Sequence, residues 1–600
     1  MRAALVVALA VVAVFYATRA SADGDATEYV AMLESLWRHG SPDLRPEDLD
    51  VVRARLAEHA PHAVESLDAR RGYFAAYDGR WYSFHFFAYP MLGLPLEALF
   101  RGIRVDPHWV LPFTNVVVLV LAAANALRGA LRVERVALVA LAAFGPVLWY
   151  VSWHHTEVLT WACVLTCLVA LEEGRHARAA FFAAFGALQA PPLVVLAGLA
   201  VLFAFLDEAR TRRRVLVAAL AASVAGLAPA FYLWKFGVPS LHVSAAYTDV
   251  RLASADRVFS LFFDLNQGML PHAPVTLVLG VVGLSRGLAR RDRLTIGVFA
   301  TTLVMMVLAS QTIHFNAGCA NVHRYVVWII PAVAWLAVRG LRWRLPGAIA
   351  LAPVTLGQLA LVLAGSTTNN AYRHNPLARY VLLHAPSLYS PEPRVFVERT
   401  EQRITDPWRS LPLPSAVMGP RGATKVLLDH ASAAALRDRF EVDERWLAGA
   451  LASRAGGRRP FYLEPPAGAV MPKPAPATRG ESWLAPEPLA RVGTFGAGWA
   501  PGAGEIESRC ASGPAEITIA PRGGSLLFGG WAPMSELGRP SRVRLFLDGE
   551  LFERARVVHG IRRRIALDAT PHVLRVEPED DAELRGVGRV GFCVDLLRFE

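Results

Sequence analysis

Residues 191–236 read PPLVVLAGLAVLFAFLDEARTRRRVLVAALAASVAGLAPAFYLWKF. Two apolar runs, 191–206 and 215–236, flank a connection that carries Arg210, Arg212, Arg213 and Arg214. A helix needs roughly 20 apolar residues to cross a hydrocarbon core about 30 Å thick. Arginines massed between apolar runs mark loops retained on the cytoplasmic side. Pro191 and Pro192 cannot donate to a helix ladder, so a break is expected where the first run begins. This stretch therefore predicts membrane-spanning helices.

The same pattern recurs on both sides of it. Further apolar runs cover 1–20, 109–127, 134–151, 156–171, 177–189, 271–288, 294–310, 323–338 and 345–365. Arg128, Arg132 and Arg135 fall in one connection, and Arg175 and Arg178 in another. Arg286, Arg290, Arg291 and Arg293 form a further group, as do Arg339, Arg342 and Arg344. Placing all these arginines inside makes 177–206 a tight pair of short helices broken at Gln189–Pro192. It predicts a polytopic α-helical domain of about eleven transmembrane helices, with the N-terminus inside and the tail outside. Ala20-Ser21-Ala22 also fits a signal-peptidase site, so the first run is a retained span or a cleaved signal; a retained span is preferred. Residues 21–108 become one long outer loop. Within it, 29–38 and 47–60 have helical periodicity. The shorter run 84–100, broken by Pro90 and Pro95, reads as an interfacial or re-entrant helix, with a true span as the alternative.

Composition agrees with a membrane part joined to a soluble part. The 600 residues are 54% hydrophobic, with a mean hydropathy of +0.33. The net charge of +11 is accounted for by orienting arginines rather than nucleic acid. No zinc-finger spacing, RNP-like motif or basic helix supports nucleic-acid binding.

The expected organisation is a transmembrane domain over 1–365, a connector with a small mixed α/β segment over 366–480, and a β-sandwich over 481–600. Residues 464–478 are dominated by Pro, Ala and Gly and read as a linker. Beyond them, Ala515–Ile519, Ser525–Phe528, Arg542–Leu547 and His572–Val576 are short alternating runs. Leu547-Asp548-Gly549-Glu550-Leu551 is a hairpin signal. The sandwich is similar to carbohydrate-binding jelly-roll domains, a fold-level likeness equally compatible with a spacer. Of five cysteines, Cys163 and Cys167 lie one turn apart in an apolar run and Cys319 lies near the outer end of another. Cys510 and Cys593 could form a disulfide if the tail is exported, or remain two buried thiols.

Polar residues unusual for span mouths fall on the expected outer face. They include Asp23, Asp25, Glu28 and Tyr29; Trp149–Glu157; Lys235; Asp264–Gly268; and His314–Tyr325. Ionisable groups at such mouths cost free energy unless paired or used. Asp23-Gly24-Asp25 puts two carboxylates within reach of one divalent ion or one sugar hydroxyl. The plainer reading is that Asp25 or Thr27 caps the helix beginning near Glu28; both can hold.

In this order, the segments resemble the GT-C glycosyltransferases, polytopic enzymes such as protein O-mannosyltransferases and the aminoarabinose transferases of lipid A. The resemblance covers about 1–365. It rests on Asp23–Tyr29 with Ser35-Leu36 and Gly40, and on Asp78–Ser83 leading to Tyr89-Pro90. It rests further on Trp153–Glu157, on Asp264–Gly268 with Pro271 and Pro274, and on Asn316-Ala317-Gly318 with His323-Arg324-Tyr325. Two places depart from it: Gln189-Ala190-Pro191 stands where relatives often have Arg-Pro, and Asn316-Ala317-Gly318 where they have Trp-Gly-Gly.

The resemblance implies an inverting transferase moving a sugar from a polyprenyl-phosphate donor to a glycan, lipid or protein acceptor, at the outer face of the cytoplasmic membrane. Asp25 would be the general base. Asp23 or Glu157 would orient the acceptor or hold a metal, although many members need none, and a divalent cation at Asp23/Asp25 stays optional. Arg324, Lys235, Arg80, His155, Gln267 and Tyr325 would line the substrate site, the lipid phosphate falling to Arg324, Lys235, Arg80 or His323, with Arg324 set against a merely snorkelling arginine. A transporter or flippase for a lipid-linked saccharide, and a non-catalytic scaffold displaying the tail, are the competing classes.

Overall fold

The computed structural model describes residues 24–473, apart from 61–63, 65–66, 68–71, 129–132, 245–246, 317–320, 342, 344, 366–371, 403–410 and 455–459. Beyond these it describes 493–495, 500–501, 509–519, 524–531, 541–557, 561–568, 570–579, 582–584, 588–590 and 592–599. The first apolar run, Ala20-Ser21-Ala22, Asp23, Arg132, Cys319, Arg342, Arg344 and linker residues 474–478 lie outside the described residues. The chain divides into two compact units, Met1–Pro474 and Ala475–Glu600.

The first unit begins with α1 (Ala26–His39) and α2 (Pro46–His59). The short antiparallel hairpin β1 (Tyr73–Ala75) and β2 (Trp81–Ser83) follows. α1 ends where Gly40 adopts a left-handed φ of 68° and its N–H returns to Leu36 O, a conformation glycine adopts at little cost. A row of helices comes next: α3 (Ala88–Gly102), α4 (Val110–Ala126), α5 (Val133–Ala143), α6 (Glu157–Glu172), α7 (His176–Ala187) and α8 (Val194–Asp207). After α9 (Thr211–Ala225) and α10 (Leu227–Phe236) come α11 (Ala255–Phe263), α12 (Pro274–Ala289), α13 (Arg293–Ala309), α14 (Arg324–Gly340) and α15 (Leu345–Gly365).

The expectation of about eleven transmembrane helices is corrected here. Among the described residues one helix, Pro107–Ala126, is long and apolar enough to cross a membrane. The count rises to two if α9 and α10, bent by 41° at their junction, are taken as one span. Most other apolar runs give helices too short. The run 134–151 yields only the 11 residues of α5 before Gly145 and Pro146 stop it, and α7 has 12. At 1.5 Å per residue, 11 residues reach about 17 Å, well under the 30 Å of hydrocarbon.

The second cause is burial. Every residue of α6 from Glu157 to Leu171 is buried, and α14 is buried over nearly its whole length. A continuous apolar run has the same composition whether it faces lipid or neighbouring helices. The close approach of α12 to α14 depends on glycine. A β-carbon at Gly283 would strike Leu336 O, and one at Gly340 would strike Gly283 O.

Residues 372–473 are packed into the first unit. A three-stranded antiparallel sheet orders 415–419, 422–428 and 461–463, with short helices beside it. Arg257 in α11 donates to Glu392 (3.0 Å) and to the carbonyls of Ser310 (2.9 Å) and Thr312 (2.7 Å). Tyr389 donates to Asp264 (2.9 Å), Asn375 N to Asn266 (3.0 Å), and Arg399 to Asn316 (2.8 Å).

The second unit holds two five-stranded antiparallel sheets. One runs 561–567, 524–531, 592–599, 509–511, 500–501; the other runs 550–557, 541–547, 572–578, 515–519, 493–495. Leu526, Phe528 and Ile565 of one sheet and Ile517, Val543, Leu545, Leu574 and Val576 of the other are buried, one inner face to each. The register sets Cys510 opposite Cys593.

Candidate active site

Four segments converge on Asp25. The first is the turn Gly24-Asp25 entering α1. Asp25 occupies the N-cap position, yet its side chain makes no capping bond to α1. Its carboxylate turns instead to Arg324, the first residue of α14, with Nη1 at 2.7 Å from Oδ2. Both side chains are about one-fifth exposed, so a solute can reach the pair.

The second segment is β2 with its exit. Ser83 donates to Glu28, its Oγ accepts from His85 N (2.9 Å), and His85 Nδ1 stands 3.1 Å from Glu28 Oε2. The other ring nitrogen, Nε2, lies 3.5 Å from Asp25 Oδ2. The result is a relay Glu28–His85–Asp25–Arg324. Tyr73 in β1 donates to Glu28 O (3.1 Å), which fixes the hairpin on α1.

The third segment is 149–157. Asn115 in α4 donates to Trp153 O (2.7 Å) and holds this loop in place. His155 then lies with Nδ1 3.5 Å from Glu157 Oε2, and its ring packs edge-on to Tyr29 at 5.9 Å. The fourth is 322–325. Tyr150 donates to Val322 O (2.6 Å), and His323 N donates to Gln267 O (2.8 Å). These two bonds place Arg324 against α1. Arg324 also donates to Tyr325 OH at 3.4 Å.

The electrostatics follow from this crowding. Burial pushes the Asp25 carboxyl up, but Arg324, His85 and His155 outweigh it and hold it below the usual carboxylate range. Burial pushes Glu28 up and wins despite His85. Burial disfavours the charged form of His85, yet Glu28 and Asp25 raise its pKa above the ordinary value. His155 is raised in the same way, by Glu157 and Asp25. Arg324 is stabilised as a cation by Tyr325, Asp25 and Glu157 against its burial. His242 faces His85 with ring centroids 5.2 Å apart; burial and the charge on His85 drop its pKa to about 3, so it stays neutral.

Of the residues singled out from the sequence, Asp25, Glu157, His155, Arg324 and Tyr325 meet here, and Gln267 supports the loop through its backbone. Lys235 does not join them: its ammonium pairs with Asp78 at 2.7 Å and lies over the Trp234 ring. Arg80 does not join them either; its Nη1 lies 3.8 Å from Asp43 Oδ2. Asp23 lies outside the described residues. A divalent cation does not fit Asp25 as found, because its carboxylate faces a guanidinium and two imidazoles that favour positive charge. Among the described residues no group of His, Cys, Asp and Glu has the arrangement of a metal site.

His85 and His242 are not legible as site residues, and Ser83 is so only as the end of the segment Asp78–Ser83. A lone histidine in an aromatic stretch, Ser83-Phe84-His85-Phe86-Phe87, reads as core; only its period-two relation to Ser83 hinted at a shared face. No family model matches this chain, and no curated protein matches it in sequence.

Proposed function

We propose that this protein is a glycosyltransferase that takes a sugar from a lipid-phosphate donor, with Asp25 as general base and Arg324 as the cation for the departing phosphate. The observation that carries this is the Asp25–Arg324 ion pair, set at the end of an imidazole–carboxylate relay and open to solvent. Such a pair is a weak base as it stands, because the guanidinium holds the carboxyl acidic. An anionic donor that engages Arg324 relieves this, since arginine binds phosphate bidentately. Asp25 then recovers basicity only when the donor is seated.

In the reaction the acceptor's O–H proton passes to Asp25 and its oxygen bonds to the sugar's anomeric carbon. The bond from that carbon to the phosphate oxygen breaks, and its electron pair leaves with the phosphate, held by Arg324. His85, backed by Glu28, keeps Asp25 oriented and supplies positive charge on the side away from Arg324. Glu157, through His155, orients the acceptor.

A lipid donor requires access from an apolar surface. Leu202 and Leu206 in α8, Val215 and Leu216 in α9, and Val278 and Val281 in α12 are each more than half exposed. Exposed Arg210, Arg212 and Arg213 lie at the start of α9, and exposed Arg286 and Arg290 at the end of α12. Apolar faces bordered by arginine suit contact with an anionic lipid surface. The deciding measurement is transfer of radiolabel from a polyprenyl-phosphate sugar in membranes carrying the full chain. Transfer that survives intact in both Asp25→Asn and Arg324→Gln would remove this reading.

A further inference from the structure

We infer a second binding site, at the far end of β2 from Glu28, for a sugar residue that carries an anionic group. It rests on the transferase reading only for its role, as the seat of the acceptor. The observation is a cavity of about 240 Å³ lined by Asp43, Arg45, Pro46, Leu49, Arg80 and Trp81 among others. That volume is below the roughly 300–1,000 Å³ of sites for drug-sized ligands, so it suits one small ring rather than an extended chain.

Three features select the ligand. Trp81 offers a partly exposed indole, a flat apolar face of the kind that sugar C–H groups stack on. Arg45 and Arg80 both approach one carboxylate: Arg45 Nε is 3.0 Å and Arg80 Nη1 3.8 Å from Asp43 Oδ2. Sharing this carboxylate holds both guanidiniums beside the indole. Both arginines are substantially exposed, Arg45 at 34% and Arg80 at 53%, so each retains donor capacity for an incoming carboxylate or phosphate. The frame is fixed, because Leu44 N donates to Trp81 O at 2.8 Å and pins the 43–45 loop to β2.

Position ties the cavity to the reacting groups. Trp81 and Ser83 are two apart in one strand, so they share a face and lie about 6.6 Å apart along it. Ser83 donates to Glu28. A sugar seated on Trp81 therefore lies on the strand whose next residue on the same face binds Glu28.

The test is saturation-transfer NMR on the detergent-solubilised full chain, without lipid donor, using methyl β-glucuronide, glucose 6-phosphate, methyl β-glucoside and inorganic phosphate as probes. The expected result is binding of the glucuronide, the sugar phosphate or both, at least tenfold tighter than the glucoside and than phosphate alone. The double variant Arg45→Gln/Arg80→Gln should weaken it tenfold or more with an unchanged circular dichroism spectrum, and Trp81→Phe should retain most of it. Equal binding of the neutral glucoside, equal binding of bare phosphate, or undiminished binding in the double arginine variant would each overturn the site. Since no step of transfer enters this measurement, binding without transfer would count against the proposed reaction and not against this cavity.

Discussion

Arg324 Nη1 lies 2.7 Å from Asp25 Oδ2, joining residues 299 positions apart in the sequence. The pair places the start of α14 against the start of α1, and both helix entries are also held by loops that reach neither residue directly.

The first prediction concerns Asp25. Asp25→Asn keeps the size and hydrogen-bonding reach of the side chain but removes the base. Transfer should fall by about 10²–10⁴-fold, the usual contribution of general-base catalysis. Arg324→Lys keeps the charge and loses the bidentate fork, so it should fall short of wild type while exceeding Arg324→Gln. Initial rates with a radiolabelled donor check both, and equal rates in all variants would refute the assignment.

Proton linkage gives a second expectation. His85 and His155 have folded pKa values above their ordinary 6.5. Their contribution to stability is complete below about pH 6.5 and is lost as pH rises through the raised values. Thermal unfolding should therefore show a falling Tm above pH 6.5, and His85→Gln should flatten that slope. An unchanged slope in His85→Gln would show that the relay is not charged in the folded protein.

Glu28 sets up a third. It is the larger of the two carboxylate influences raising His85. Glu28→Gln should lower the His85 pKa, read from its imidazole carbon proton by NMR titration. The His155 resonance should move little, because its partner is Glu157. A shift of both by the same amount would point to a general rearrangement instead.

Packing supplies a fourth. Gly283 and Gly340 let the backbones of α12 and α14 touch. Gly283→Ala forces them apart at an overpacking cost of about 1–3 kcal/mol. Gly198 has open space where its β-carbon would go, so Gly198→Ala should not destabilise. Denaturant midpoints of the two variants measured together decide this; equal midpoints would contradict the close crossing.

The buried Arg257–Glu392 pair gives the fifth. Glu392→Ala leaves a guanidinium uncompensated in the interior and should cost about 3–5 kcal/mol. Chemical denaturation of the full chain measures it, and a loss below 1 kcal/mol would mean that solvent or another carboxylate takes over.

The sequence makes some of this readable and not the rest. The helices over 156–171, 294–310 and 323–338 lie almost where the apolar runs do, because long apolar stretches form helices in any dry environment, the last of them despite Pro331 inside it. Their status as spans was not readable. Glu157–Leu171 is as apolar as a span, but other helices surround it, and composition carries no record of what does the surrounding. Within the site, Asp25, His155, Glu157 and Arg324 stood out as ionisable residues at the edges of apolar runs. Lys235 stood out for the same reason, yet Asp78 takes its charge, and a pairing between residues 157 positions apart leaves no trace in local spacing. His85 stayed hidden because its chemistry comes from its neighbours in space, Glu28 and Asp25, and not from its neighbours in the chain.

The bonds from Tyr389 to Asp264, from Asn375 to Asn266 and from Arg399 to Asn316 run from the stretch after α15 back into loops that precede Arg324. A chain shortened to end at residue 365 would thus be an unfinished body: its loop at 264–267 would lose the partners that brace it. Gln267 O, which receives the N–H just before Arg324, sits in that same loop. The last hundred residues of the first unit accordingly belong to the machinery as a keystone belongs to an arch, bearing on the centre without touching it.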